Sequence, residues 1–321
     1  MGPPIAARLP AQPAWTPAQE AMIMEPYAYL DAQPGKEFRS HLLDAFHVWM
    51  PSVASEALTH IKALIRHLHH ASLMIDDVED ASDMRRGAPA AHKVFGVAQT
   101  INTANYAYFQ VLSDVAHWQP RALPVLIREL EWLHRGQGLE LYWREHATCP
   151  TESEYADMVV HKTGGLFRVA LCLMDSVADT DAAPFVPLAN LLGLLFQIRD
   201  DYLNLQPPSA CDDITEGKFS FPLIHAVRTA KDATLLTMLQ QHTQDPALKQ
   251  QAAKLGAKAT KAAAAKQMIR RAETMDDLFA TVNWDSRWGE RRREGSPPAA
   301  AHRPTATKGG QRRRVRPPAH A

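Results

Sequence analysis

The sequence has few of the features that mark secreted, membrane-spanning or zinc-binding proteins. It contains only three cysteines, widely spaced at Cys149, Cys172 and Cys211, which form neither a disulfide framework nor a zinc pattern. No apolar run approaches the roughly 20 residues that a transmembrane helix needs. The first residues also lack the charged and then apolar order of a secretory signal. We therefore expect a protein of the cytoplasm, with the membrane surface as the alternative.

Strand signals and glycine-rich phosphate loops are nearly absent as well. No glycine-rich loop follows a strand-like run, and strands do not alternate with helices, which argues against a nucleotide-binding α/β fold. Apolar residues recur instead at helical spacing, as in the runs from Ala54 to Leu68 and from Leu123 to Leu133. The sequence therefore predicts a single all-α domain.

The two ends of the chain differ in composition from the middle. Residues 1–17 are rich in proline and alanine, and residues 286–321 are rich in arginine and proline. From Arg287 onward, nine Arg and one Lys stand against two Glu, a net charge of +8. We expect both ends to be disordered around a domain of residues 18–285. A tail of this charge is able to bind nucleic acid, but the prediction is a solvated segment without a specific nucleic-acid partner.

An apolar stretch runs directly into acids in the segment LMIDDVEDASDMRRG. On a helix, Asp76 and Asp80 lie on one face, about 6 Å apart at Cβ, and they repel each other unless a cation lies between them. Hard oxygen ligands of this kind suit Mg²⁺. Asp77 points elsewhere, whereas Glu79 and Asp83 lie near the same face. Helical spacing therefore leaves the choice of ligands open, with a solvated helix face as the alternative.

A second apolar segment, LLFQIRDDYLN, ends in the adjacent acids Asp200 and Asp201. Acidic residues at the end of a buried stripe are costly unless their charge is compensated. Two such helices facing each other would place at least four carboxylates around one cavity, which could bind divalent ions and, through them, a diphosphate. A third pair, Asp276 and Asp277, has no arginine pair after it and is predicted to be solvated surface.

Several cationic residues accompany the acidic segments. They are Lys36, Arg39, Arg85, Arg86, Lys162 and Lys218. Arginine binds phosphate oxygens in a bidentate way, whereas lysine acts as a point charge. Each cation taken alone favours a solvated surface. Together with the acids, they predict a cavity for two diphosphates, one bound through metal ions and one bound directly.

With these residues in view, the chain resembles the trans-isoprenyl diphosphate synthases, and most closely the geranylgeranyl diphosphate synthases of fungi and animals. The stretches that carry the resemblance follow the family's order: PGKEFR, HHASLMIDDVEDASDMRRGAPAAH, GVAQTINTANYAYF, LHRGQGLELYWRE, HKTGGLF, FQIRDDYLNL and DITEGKFSFPLIH. The resemblance implies a single isoprenoid-synthase helical bundle with a central active-site cavity. It also implies a homodimer or a larger homo-oligomer.

The resemblance further implies a role for each candidate residue. The expected catalytic set is Asp76, Asp77, Asp80, Asp200, Asp201 and Lys162. Mg²⁺, with three ions per site, is expected at Asp76, Asp80 and Asp200. Contacts to the allylic diphosphate are expected from Arg85, Lys162, Thr163, Gln197 and Lys218. Isopentenyl diphosphate is expected to bind without metal at Lys36, Arg39, His69 and Arg86.

The implied reaction joins isopentenyl diphosphate to dimethylallyl, geranyl and farnesyl diphosphates in turn, giving geranylgeranyl diphosphate. Farnesyl-producing relatives often place aromatic rings just before the first acids, where this chain has Ala71 and Ser72. A longer product is therefore allowed. The candidates for a deeper floor of the apolar tunnel are Tyr106, Phe109 and His134.

Other functions stay open at this point. A sister synthase with a farnesyl or longer product would share every motif. A non-catalytic subunit that regulates another synthase is also possible, because the loop QPPSAC is shorter than relatives usually have and lacks a lysine found there. A terpene cyclase is disfavoured, since it would be expected to lack Lys36, Arg39 and His69. A nucleic-acid-binding protein working through the tail would show steep salt dependence.

Overall fold

The helical periodicity of the sequence is realised as helices. The computed structural model describes residues 14–35, 37–178, 181–206, 211–230 and 233–260. Within these residues, fourteen α-helices accompany one two-stranded sheet, so the all-α prediction is confirmed. The arginine-rich tail, Lys36 and the pair Asp276 and Asp277 lie outside the described residues, and the domain boundaries stay a prediction.

The first seven helices lie in the described residues up to Glu145. They are α1 (Pro17–Ile23), α2 (Glu25–Asp31), α3 (Phe38–Trp49), α4 (Ser55–Glu79), α5 (Ala91–Phe95), α6 (Val97–Trp118) and α7 (Leu123–Glu145). The others are α8 (Glu152–Lys162), α9 (Gly165–Ala178), α10 (Val186–Asn204), α11 (Asp212–Glu216), α12 (Phe221–Ala230), α13 (Ala233–Gln240) and α14 (Pro246–Thr260). Strands β1 (Met84–Arg85) and β2 (Ala88–Pro89) pair antiparallel between α4 and α5.

Capping residues and prolines set several helix starts. At α8, the Thr151 hydroxyl accepts from the Glu154 N–H at 3.1 Å, and the Glu154 carboxylate accepts from the Thr151 N–H at 2.7 Å. This reciprocal pair satisfies two backbone donors that have no partner inside the helix. Pro124 and Pro187 fall in the first turns of α7 and α10, where a missing N–H is tolerated. Both prolines therefore lie near helix starts.

Helix α4 lies at the centre of the bundle. Its residues Ile61, Leu68 and Met74 are fully buried, and it packs against α3, α6 and α9. Helix α7 packs against α8 and α9, and α10 packs against α8, α9 and α12. The carboxyl-terminal ends of α4 and α10, which carry the two acidic segments, both reach one cavity.

A sharp turn follows α4. Ala81 has φ +53°, in the left-handed region that non-glycine residues rarely adopt, and the helix therefore does not continue. The chain then forms β1 and β2, with Arg85 opposite Ala88. This hairpin carries Arg85 and Arg86 back toward the cavity.

Helix α10 is apolar but is a core helix of the bundle. Ala189, Leu192, Leu195 and Ile198 are buried along it. Among the residues that the structure describes, no helix has both the length and the apolar character for crossing a bilayer. This apolar segment is therefore a buried helix of the bundle.

Candidate active site

Most of the predicted site residues meet in one cavity of about 510 Å³. Those that line it are Arg39, His69, Ser72, Asp76, Asp80, Arg85, Arg86, His134, Lys162, Thr163, Gln197, Asp200, Asp201 and Lys218. Those that do not are Ala71, Asp77, Tyr106 and Phe109. The two acidic segments therefore face each other, and the cations of both predicted diphosphate sites surround them.

Asp76 lies where side chains from several elements converge. Lys162 Nζ is 3.3 Å from its Oδ1, Arg85 Nη2 is 3.5 Å from its Oδ2, and Gln137 Nε2 donates to Oδ1 at 3.2 Å. Burial acts to raise the pKa of Asp76, but Lys162, Lys218 and Arg85 together outweigh it and hold the pKa well below its usual range. Asp76 is therefore ionised at neutral pH and available as a ligand for cations.

A close approach of two helices places Lys162 beside Asp76. A Cβ on Gly136 of α7 would lie 2.8 Å from the backbone nitrogen of Lys162, so α8 could not pack this closely against a larger residue. Lys162 also pairs with Glu140 of α7. Although burial acts to lower the pKa of Lys162, Asp76 and Glu140 raise it above its ordinary value. Lys162 is therefore a permanent cation in the cavity.

Asp80 follows the last residue of α4 as its carboxyl-terminal cap and is almost fully enclosed, with 2% of its side chain exposed. Arg144 Nη1 donates to its Oδ1 at 2.7 Å, and Lys218 pairs with its Oδ2. Burial is the main cause that raises the pKa of Asp80 to about 6, with Asp76 and Glu216 adding to it against the attraction of Lys218. Ionisation of Asp80 is thus opposed by the fold when no further cation is bound.

Asp80→Asn is expected to stabilise the magnesium-free protein at about pH 7.5 but not at about pH 4.5. A carboxyl whose pKa is raised from 3.8 to about 6 by burial contributes stability at low pH, and this is lost as pH rises through about 6. The difference corresponds to up to about 3 kcal/mol. Thermal unfolding of wild type and variant at both pH values checks this. A Tm difference that does not change with pH would contradict it.

Asp77 is turned away from the cavity. It is 1% exposed and accepts from Arg85 Nε at 2.7 Å, with Arg85 Nη2 as a second donor. Burial raises the pKa of Asp77, and Arg85 acts against that effect. In the structure Asp77 thus anchors Arg85, whose Nη2 also lies near Asp76.

The structure distinguishes the two acids that helical spacing left as possible ligands. Glu79 lines the cavity and accepts from Gln137 Nε2 at 2.7 Å. Asp83 lies beyond the end of α4, its side chain is 84% exposed, and it pairs with Lys93 at 2.8 Å. Glu79 therefore belongs with the cavity, whereas Asp83 lies on the surface.

Both acids of α10 line the cavity, but Asp201 is also held by hydrogen bonds from three neighbouring groups. Asp201 accepts from Tyr155 Oη at 2.6 Å, from the Phe221 N–H at 2.8 Å and from Gln197 Nε2 at 2.9 Å. Burial raises the pKa of Asp201 to about 6. Asp201 thus joins α8, α10 and α12 as well as lining the cavity, and Asp200 lines the cavity across from α4.

Thr163 and Gln197 lie next to each other at the cavity wall. The Thr163 hydroxyl donates to Gln197 Oε1 at 3.2 Å. Both residues line the cavity, beside Lys162 and Asp200.

Three of the four predicted residues for the metal-free diphosphate form a second cationic group. Arg39 Nη1 donates to His69 Nε2 at 2.9 Å. Burial and the neighbouring Arg86 lower the pKa of Arg39 to about 10, and burial and Arg39 hold the pKa of His69 well below its usual range. His69 is therefore neutral at neutral pH. The fourth residue, Lys36, lies outside the described residues.

The cavity also has an apolar part, lined by Leu73, Tyr108, Leu133 and His134. Tyr108 is 8% exposed, and its ring centroid lies 5.7 Å from that of His134. The hydroxyl of Tyr106, in contrast, donates to Glu20 of α1 at 3.0 Å.

The other chain-length candidates have different surroundings. Phe109 is 66% exposed on the outside of α6. Of the small pair before the acids, Ser72 lines the cavity and Ala71 is buried away from its wall. His134 and Ser72 are therefore the predicted chain-length residues that the structure brings to the cavity.

Sequence reasoning missed four residues on α6 and α7, three that line the cavity and one, Arg144, that pairs with Asp80 at its wall. They are Tyr108, Gln137, Glu140 and Arg144. The last three continue, at helical spacing, the apolar stripe that ends at Leu133. That continuation was the available signal: polar residues on the stripe that faces the bundle indicate a cavity rather than solvent.

The donor chemistry of the cavity fits Mg²⁺. Carboxylate oxygens of Asp76, Asp80 and Asp200 reach it from two sides, and hard oxygen donors are those that Mg²⁺ prefers. In the described residues no three acidic, histidine or cysteine side chains form a preformed metal cluster. Cations of the chain pair with Asp76 and Asp80 instead.

In this helical bundle, two acidic helix ends and several buried cations share one cavity. That arrangement defines a diphosphate-binding protein of the all-α class. The model of the polyprenyl synthetase family matches residues 20–255, and the chain belongs to this family. The resemblance noted from the motifs is therefore confirmed.

Curated relatives agree with this assignment. Geranylgeranyl pyrophosphate synthase 2 of Zymoseptoria tritici is 49% identical over 245 residues, covering 73% of this chain and 74% of the relative. Geranylgeranyl pyrophosphate synthase of Mucor circinelloides f. lusitanicus is 51% identical over 234 residues, covering 71% and 76%. Geranylgeranyl pyrophosphate synthase 1 of Zymoseptoria tritici is 48% identical over 254 residues, covering 74% of each chain.

Proposed function

We propose that this chain is a prenyltransferase that condenses isopentenyl diphosphate with allylic diphosphates and releases geranylgeranyl diphosphate. The observation that carries the proposal is the cavity in which Asp76, Asp80 and Asp200 face Lys162 and Lys218. Three relatives at 48–51% identity that bear the name of geranylgeranyl pyrophosphate synthase support the product.

The allylic diphosphate would lie between the two acidic helix ends. Mg²⁺ bound at Asp76, Asp80 and Asp200 would neutralise the charge of the diphosphate as it leaves. Lys162 and Lys218 both have a pKa above the ordinary value, because Asp76 in particular overcomes the effect of burial. They therefore stay charged and can exchange a carboxylate partner for a diphosphate oxygen.

The reaction then needs charge stabilisation and the exclusion of water, without a nucleophilic side chain. The allylic C–O bond breaks and its electron pair goes to the diphosphate oxygen. The terminal carbon of the isopentenyl double bond forms the new C–C bond to the allylic carbon, which leaves a cation on the other carbon of that double bond. A proton then leaves the carbon next to this cation, its electron pair forms the new double bond, and the released diphosphate accepts the proton. Thr163 and Gln197, which are hydrogen-bonded to each other at the cavity wall, would stabilise the cationic carbon with their oxygens. Leu73, Tyr108 and Leu133 enclose the apolar chain.

Isopentenyl diphosphate would bind at the second cationic group. Arg39 and Arg86 supply two guanidinium groups, which suit a diphosphate that has no metal ion. His69 supplies a neutral imidazole, held by Arg39. We also propose that the site binds three Mg²⁺ ions and that the chain forms a homodimer or a larger homo-oligomer. Its proposed location is the cytoplasm or the membrane surface.

The purified chain, incubated with Mg²⁺ and isopentenyl diphosphate, is expected to convert each of dimethylallyl, geranyl and farnesyl diphosphate to the same twenty-carbon product. Chromatography of the dephosphorylated products measures their length. A farnesyl product that is never extended would contradict the proposed chain length. Absence of turnover with all three allylic substrates would contradict the enzyme assignment and favour the non-catalytic subunit.

A further inference from the structure

The contacts around Arg86 involve two residues that have no assigned role, Asp31 and His70. Arg86 has φ +52°, a left-handed backbone conformation that is rare outside glycine. Its Nη1 donates to the Gln33 carbonyl at 3.1 Å, and its Nη2 lies 3.4 Å from His70 Nε2. The guanidinium also packs against Gly35, where an added Cβ would meet its Cζ and Nη2 at 3.4 Å. Its direction is therefore fixed by the loop before α3 and by α4.

His70 can accept from Arg86 only as a neutral imidazole with a free lone pair on Nε2. Its side chain is 5% exposed, and its Nδ1 lies 3.1 Å from Asp31 Oδ1. This contact is electrostatic, without the alignment of a hydrogen bond, and it favours the tautomer with its proton on Nδ1. Burial and Arg86 also lower the pKa of His70 to about 4. His70 is therefore neutral at pH 7, with Nε2 free to accept.

Asp31 lies in an unfavourable place for the stability of its own helix. It is the last residue of α2, where a carboxylate is repelled by the carbonyl end of the helix dipole. Arg66 compensates by donating from Nε and Nη2 to both carboxylate oxygens, at 2.7 and 2.9 Å. This bidentate pair fixes the carboxylate so that Oδ1 also faces His70.

We infer that Asp31 and His70 are positioning residues that hold the Arg86 guanidinium toward the diphosphate of isopentenyl diphosphate. The identity of that substrate rests on the proposed function. Both residues act through Arg86, and neither contacts Lys162 or Lys218, which belong to the allylic side. Their loss should therefore weaken the binding of isopentenyl diphosphate selectively.

The test compares His70→Phe with His70→Gln. Phenylalanine keeps a ring beside Tyr27, whose ring centroid lies 5.6 Å from that of His70, and removes both nitrogens. Glutamine keeps an acceptor near the place of Nε2. His70→Phe is expected to raise the KM for isopentenyl diphosphate about tenfold, with kcat and the KM for farnesyl diphosphate within about twofold of wild type. His70→Gln should recover most of this loss, and Asp31→Asn should raise the same KM by a smaller factor.

His67→Phe is the matched control. His67 lies one turn earlier on α4 and stacks on the same Tyr27 at 4.4 Å, but its Nε2 contacts Gln110 at 3.2 Å rather than an arginine. The KM for isopentenyl diphosphate should not change in this variant. In an Arg86→Ala background, His70→Phe should have no further effect, because residues that act through one partner are not additive.

An equal rise in the KM of both substrates would show that His70 only supports the fold, and so would an undiminished effect in the Arg86→Ala background. Either result would overturn the inference, as would a normal KM in His70→Phe. A failure of the proposed function can be distinguished from a failure of this inference, because wild type would then make no product. Calorimetric titration with inorganic pyrophosphate in magnesium-free buffer separates the two failures. Weaker binding by His70→Phe than by wild type and His67→Phe would support the positioning role, and equal binding would overturn it.

Discussion

Asp76→Ala should lower the turnover of farnesyl diphosphate with isopentenyl diphosphate by about 10³-fold, the size typical for loss of one group that stabilises developing charge. The fold should survive, because no cation is left buried without a partner: Lys162 keeps Glu140, and Arg85 keeps Asp77. Steady-state kinetics at saturating Mg²⁺ measure the first effect, and thermal unfolding measures the second.

Asp83→Ala is the control for this prediction. Asp83 belongs to the same acidic segment, and helical spacing alone made it a possible ligand. In the structure its side chain is 84% exposed and pairs with Lys93. Its removal should leave kcat and both KM values near those of wild type. Near-normal turnover by Asp76→Ala, or an equal loss in both variants, would contradict the role given to Asp76.

The helices and the meeting of the two acidic segments could be predicted because both depend on local patterns. Apolar spacing determines which face of α4 and α10 is buried. An acid at the end of a buried stripe needs a compensating charge, which favours a shared cavity. The different surroundings of Glu79 and Asp83 could not be predicted in this way. Helical spacing applies only as far as the helix, and α4 ends at Glu79 with a left-handed Ala81 soon after.

The surroundings of Asp77 and Asp201 depend on partners that are distant in sequence. Asp77 accepts from Arg85 across the turn after α4, and Asp201 accepts from Tyr155 and the Phe221 backbone. No spacing within one helix shows that such donors are close. Family resemblance assigned both acids to the site in support of the metal ligands, and their role in catalysis stays a prediction.

The inward face of α6 was hard to recognise for a different reason. Its buried residues include Thr100, Thr103, Ala104 and Ala107, which are small and only weakly apolar. Hydrophobicity therefore marks this stripe poorly, although its helical spacing leads directly to Tyr108. Tyr106 and Phe109 were selected from this segment only as aromatic residues, and neither lines the cavity.

Tyr108→Ala is expected to shift the product from geranylgeranyl diphosphate to chains longer by one or more isoprene units. Tyr108 is the aromatic ring of α6 that lies in the apolar part of the cavity, beside Leu133 and His134. A growing chain that extends away from the acids would meet this ring. Replacing it with a methyl group opens space of about the size that a further unit requires, so elongation should continue.

Three variants separate the effect of this ring from general damage to α6. Tyr108→Phe keeps the ring and should keep the twenty-carbon product. Phe109→Ala and Tyr106→Ala remove neighbouring rings, one of them 66% exposed and the other bonded to Glu20 outside the cavity, and should also keep it. Chromatography of products and thermal unfolding would be compared for all four. If Phe109→Ala lengthened the product while Tyr108→Ala did not, the growing chain would leave the cavity by another path, and Tyr108 would be an ordinary core residue.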